Sequence, residues 1–128
     1  MTYYISTILN IEFTEALERT IDALKAEGFG ILSDINVTET LHKKLGVEFP
    51  NYRILGACNP ALAFEALKLE SKVGTMLPCN VVIRDASNGH TEIAAIDPVA
   101  SMQAIDNPEL KMAAVQVRDK LARVIAAL

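Results

Sequence analysis

CNVVIRDASNGHTEIAAI, residues 79–96, holds two β-rich runs, Cys79 to Arg84 and Thr91 to Ile96, on either side of Asn88-Gly89. Asparagine followed by glycine is the pair that best tolerates the positive φ angles of a tight turn, so the two runs are expected to be antiparallel neighbours. The chain before them reads as strands alternating with helices, a pattern that suggests crossover connections. Crossovers combined with one hairpin predict an α+β domain with a mixed sheet.

Working toward the N-terminus, Tyr52 to Cys58 reads as a strand that gives way to a helix at Asn59-Pro60. An asparagine side chain can cap free backbone donors there, and proline has no N–H to lose at the first helical position. That helix runs through Glu70 and presents Leu62, Ala63, Ala66, Leu67 and Leu69. Before it, Thr38 and Glu39 start a short helix that carries Leu41 and Leu45 and stops at Gly46. Phe29, Ile31, Ile35 and Val37 alternate with Gly30, Leu32, Asp34 and Asn36, which predicts a strand with one strongly apolar face. Thr14 offers the cap of a first long helix with Phe13, Leu17, Ile21 and Leu24 at helical spacing, ended by Gly28. Tyr3 to Leu9 is the first strand, with Tyr3, Ile5 and Leu9 on one face.

Toward the C-terminus the polar-cap-then-proline device recurs at Asp97-Pro98, for a short helical segment, and at Asn107-Pro108, for a long one. In the last helix Leu110, Ala114, Val117, Leu121, Val124 and Leu128 form one apolar stripe. About five strands covered by helices follow, in one domain over residues 1–128 without linker or repeat.

With 128 residues, 51% of them hydrophobic, such a chain buries enough surface to need neither disulfide nor metal for stability. Twelve bases against sixteen acids, with no basic cluster beyond Lys43-Lys44, argue against a nucleic-acid partner. The first residues lack a basic segment and are interrupted by Ser6, Thr7, Asn10 and Glu12, so no signal peptide is expected, and no apolar run has the length of a membrane span. Two cysteines in such a chain read as reduced thiols, which places it in the cytoplasm.

Two motifs carry most of the chemical interest: Leu55-Gly56-Ala57-Cys58-Asn59-Pro60, at a strand-to-helix transition, and Met76-Leu77-Pro78-Cys79-Asn80, at the entrance to the next strand. With Asp97-Pro98 downstream, their order and spacing resemble the domain-of-unknown-function 302 family over almost the whole chain. The resemblance implies a compact α+β domain that tends to form dimers, and it implies no activity. A homodimer is also expected because three separate helices all seek one sheet.

Read from the residues alone, Cys58 lies just before a helix N-terminus, where the backbone dipole favours thiolate. Cys79 opens the next strand, and the two thiols would share a pocket if their strands pair. The plain alternative is that both are small core residues. Asn59 reads as a structural cap before a catalytic amide. Cys58 and Cys79 lack a paired Cys-x-x-Cys spacing, and His42 and His90 fall in separate exposed segments, so no metal is expected. Glycine-rich phosphate or dinucleotide loops and a Gly-x-Ser-x-Gly turn are absent, so no cofactor held by those devices is expected. Arg53 and Arg84, within strands, are candidates for an anion or for surface ion pairs.

The reading that follows is a non-enzymatic homodimeric binding module for a small anionic or polar ligand. Its expected site is Cys58, Asn59, Pro60, Cys79 and Asn80, where the helix start offers free backbone donors. The competing expectation is a thiol-dependent redox protein in which Cys58 attacks and Cys79 resolves.

Overall fold

The polar caps read from the sequence set most helix boundaries in the computed structural model, which describes residues 2–128. Met1, where the expected domain begins, lies outside the described residues. The elements are β1 (Tyr4–Leu9), α1 (Phe13–Ala26), β2 (Gly30–Asn36), α2 (Val37–Leu45), β3 (Tyr52–Cys58), α3 (Pro60–Leu69), β4 (Cys79–Asp85), β5 (Thr91–Ile96), α4 (Pro98–Ser101) and α5 (Pro108–Ala126). A single 3-10 turn, Val73–Met76, leads from α3 toward β4. Asn59, Asp97 and Asn107 each accept hydrogen bonds from backbone N–H groups of the helix that follows. Two caps differ from expectation. Thr14 lies inside α1, which starts at Phe13 without a side-chain cap. Asn36, ahead of Thr38, caps α2. The Thr38 hydroxyl instead donates to the Pro50 carbonyl (2.8 Å) and accepts from the Tyr52 N–H (3.0 Å), tying α2 to the start of β3.

The five strands form one sheet in the order β1-β5-β4-β3-β2. Every neighbouring pair is antiparallel, which corrects the expected mixed sheet. The reason lies in where the helices go. β1 and β2 run the same way, but α1 carries the chain across the sheet and leaves them at opposite edges. α2 and α3 are excursions that leave and re-enter at the same end of the sheet, so the strands they join come back antiparallel. The expected hairpin is present, with Ser87, Asn88 and Gly89 all at positive φ in its loop.

One face of the sheet is covered by α1 and α5, which bury Leu55, Ala57, Val81, Ile83, Ile93 and Ala95 against Leu24, Leu121 and Val124. α3 packs mainly away from the sheet. It packs on the first half of α5 with the 3-10 turn and α4, forming a second cluster of Ala66, Val73, Met102, Leu110 and Ala114. The stripe on α5 thus serves both clusters, Leu110 and Ala114 in one, Val117, Leu121 and Val124 in the other. The inner faces of the helices pack within the chain, while Phe64, Leu67, Met112 and Val115 on α3 and α5 stay exposed, and the other face of the sheet carries no helix. There Tyr4, Ile8 and Ile35 are 42%, 58% and 49% exposed.

Ile35 reaches that face because of a bulge. The register of β2 on β3 slips between Ile31 and Ser33, so that Ile31 pairs with core-facing Ala57 while Ile35 pairs with Ile54. One extra residue reverses the inward set of a strand, and the single apolar face expected for residues 29–37 is split between the two sides.

Candidate functional site

β3 and β4 bring the two motifs side by side, with Ala57 opposite Cys79 and Gly56 opposite Asn80. Gly56 is buried, and a Cβ there would run into the Ser33 hydroxyl and lie 2.7 Å from Cγ of Pro78. The absence of a side chain is what lets the Pro78 loop close over the sheet. Asn59 turns its side-chain oxygen onto the Leu62 N–H at 3.3 Å, so the donors at the start of α3 are partly used by its own cap.

Around these residues lies a cavity of about 40 Å³, walled by Phe29, Ala57, Cys58, Asn59, Cys79, Met102, Leu110 and Val117 among others. That volume admits a water molecule or two, whereas small-molecule sites span roughly 300–1,000 Å³. Its walls are almost entirely carbon and sulfur, a poor surrounding for an anion. Pro60 does not line it and is exposed.

Both cysteines are free thiols, Cys79 buried and Cys58 half-buried. Burial, with a smaller contribution from the negative charge of a Cys58 thiolate, pushes the Cys79 thiol up to about 11. At neutral pH it is protonated, the opposite of what an attacking or resolving sulfur requires. The predicted site residues therefore divide. Cys58, Asn59 and Cys79 border the small cavity, while the pleat of β4 turns Asn80 to the opposite, uncovered face.

On that face Asn80 joins Tyr3, Tyr4, Tyr52, Val82, Arg84, Glu92, Ala94 and Ile96 around an open hollow of about 350 Å³. Three phenols, an amide and one ion pair stand among aliphatic side chains, the mixture typical of sites for small organic molecules. The Arg84 Nε donates to Glu92 at 2.7 Å across the β4–β5 ladder. On the helix-covered side of β2 and β3, Arg53 forks onto both carboxylate oxygens of Asp34 at 2.8 and 2.7 Å. The hydrogen bond from Arg53 is the main cause of a lowered Asp34 pKa. Both strand arginines are thus engaged in ion pairs. His42 and His90 are exposed, and among the described residues no group of three or more His, Cys, Asp and Glu could hold a metal.

A sequence profile for the domain of unknown function DUF302 matches residues 5–128. The chain belongs to the DUF302 family. A solved structure titled as an uncharacterized conserved DUF302 protein from Bacillus stearothermophilus superposes with a TM-score of 0.91, at 32% sequence identity and with 98% of each chain covered. Among curated proteins none matches the sequence. In this DUF302 chain the Gly-Ala-Cys-Asn-Pro and Leu-Pro-Cys-Asn motifs serve first to dock the Pro78 loop and cap α3. The hollow escaped sequence reasoning because its residues come from four strands and a tyrosine that precedes the first of them. The available signal was the polar side chains Asn80, Arg84 and Glu92 on the alternate positions of β4 and β5 that face away from the core.

Among the described residues no helix is long and apolar enough to cross a membrane.

Proposed function

We propose that this DUF302 chain is a non-enzymatic module that binds a small polar organic molecule in the hollow on the uncovered sheet face, and that it works as a homodimer. The observation that carries the reading is the hollow itself. Its volume of about 350 Å³ is large enough for a small molecule, and it combines aliphatic walls with the Tyr3, Tyr4 and Tyr52 rings, the Asn80 amide and the Arg84–Glu92 pair. The Arg84–Glu92 pair presents no net charge, and this favours a neutral polar guest over the anion suggested by the helix N-terminus. A catalytic reading has less support, because the buried Cys79 is held as a thiol. The thiol-redox alternative needs a thiolate on one of the two sulfurs and keeps only Cys58 as a candidate.

The test is a fragment screen by ¹H–¹⁵N correlation spectroscopy with phenol, indole, nicotinamide, adenosine and, as anions, phosphate and acetate. The expected result is movement of the Asn80, Val82, Glu92 and Ala94 amides with at least one neutral fragment at millimolar concentration, weakened in Tyr52→Ala. Shifts confined to residues around Cys58 and Ala63, or none with any fragment, would sink the reading.

A further inference from the structure

We infer that the guest of the hollow is a neutral planar heterocycle with a lactam edge, an N–H beside a C=O, read by the Arg84–Glu92 pair. Such a guest rests on the hollow being a binding site, as proposed above, and three features of the hollow specify its class.

The first is layout. Asn80, Val82 and Arg84 follow one another on the uncovered face of β4, and the register sets Ala94 beside Val82 and Glu92 beside Arg84 on β5. Four residues rising about 3.3 Å each put Asn80 and Arg84 roughly 13 Å apart along the strand. Between them the short side chains of Val82 and Ala94 leave the trough that forms the hollow. Polar groups thus stand at both ends of an apolar floor, which suits a flat ring with polar atoms on opposite edges. The second feature is aromatic. Tyr52 lies opposite Arg84 at one end, and Tyr4, opposite Ile96, stands with Tyr3 at the other. Such rings stack on, or meet edge to face, another planar π-system, whereas an aliphatic chain gains only its burial.

The third feature is the ion pair itself. Among the described residues its only side-chain hydrogen bond runs from the Arg84 Nε to the Glu92 Oε1 at 2.7 Å. The terminal guanidinium nitrogens, which can only donate, and the second carboxylate oxygen, which can only accept, remain for a guest side by side. A carboxylate guest would meet the like charge of Glu92, and an ammonium guest that of Arg84. A lactam gives its C=O to the arginine and its N–H to the glutamate without adding charge. At the far end the Asn80 carboxamide offers both a donor and an acceptor to whatever polar atom the ring carries there.

The test is a titration of the ¹⁵N-labelled chain with carbostyril, N-methylcarbostyril, quinoline and quinaldate, followed at the Asn80, Val82, Glu92 and Ala94 amides. All share one fused ring system. Carbostyril alone has the lactam edge; its N-methyl form keeps the C=O without the N–H, quinoline has only a ring-nitrogen acceptor, and quinaldate adds a carboxylate. Carbostyril is expected to bind at least about 10-fold more tightly than each of the others, the effect of losing one hydrogen bond to a charged group. In Glu92→Ala, a change at a partly exposed position to be checked for native circular dichroism, the preference over N-methylcarbostyril should disappear. The same change should strengthen quinaldate, which then meets Arg84 without a competing carboxylate. Equal binding of carbostyril and N-methylcarbostyril to wild type, or a preference that survives Glu92→Ala, overturns the lactam assignment and leaves the hollow as a site. Silence of these amides toward all of these probes and toward phenol and indole removes the hollow as a site, and the assignment with it.

Discussion

Gly56→Ala is expected to destabilise the fold through one contact that no relaxation of Gly56 itself can relieve. The added methyl would overlap the Ser33 hydroxyl and stand 2.7 Å from Cγ of Pro78. The serine can rotate away, but the proline ring cannot, so the β3–β4 pair must part or the Pro78 loop must lift. Overpacking of this kind costs about 1–3 kcal/mol, offset by about 0.4–1 kcal/mol from the smaller conformational freedom of alanine in the unfolded chain. A net loss of about 1–2 kcal/mol follows, seen as a Tm lower by about 4–8 °C in a domain of this size. Urea unfolding of wild type, Gly56→Ala, Ser33→Ala and the double variant divides the effect. Ser33→Ala removes the nearer atom and leaves the Ser33 Cβ at 3.5 Å, an ordinary contact, so the remaining loss in the double variant belongs to Pro78. A Gly56→Ala protein within about 0.3 kcal/mol of wild type would refute the claim that a bare backbone is needed here.

Cys79 should make stability depend on alkaline pH. Its folded pKa of about 11 lies above the 9.0 of a free thiol, so the unfolded chain loses its proton first and stability falls from about pH 9 to 11, by at most about 1.4 kcal/mol per pH unit. Denaturation at pH 8 and pH 10.5 should show that loss in wild type and not in Cys79→Ala; equal slopes would reject it. Asn59→Ala removes one cap bond and should cost about 1 kcal/mol, whereas Asn107→Ala also breaks the 3.2 Å bond from its amide to the Leu69 carbonyl and should cost more. Thermal unfolding that ranks the two in the reverse order would contradict this account. Asp34, held low by its bond from Arg53, should titrate below the usual aspartate range by NMR and return to it in Arg53→Gln. Its stabilising effect is present above the ordinary aspartate pKa and fades as pH falls through the lowered one. At this partly exposed site the loss should stay under about 1 kcal/mol.

The sequence by itself determined the elements and most of their ends, the starts of α1 and α2 excepted. Asn59-Pro60, Asp97-Pro98 and Asn107-Pro108 start helices because capping and the missing proline N–H are local effects. Asn88-Gly89 turns a hairpin because positive φ is a property of those residues. The motifs also named the family. Tertiary structure alone decided direction, face and cover. Whether α2 and α3 return the chain to the end it left is a matter of packing, and it made the sheet antiparallel throughout. A single bulge between Ile31 and Ser33 moved Ile35 to the uncovered side, although nothing in the alternation of residues 29–37 marks it. The pleat then separated Asn80 from Cys79, its neighbour in sequence, and joined it to Tyr3, Tyr4 and Tyr52. Side chains far apart in sequence share a hollow only once strand order and register are fixed, and both depend on contacts across the whole chain.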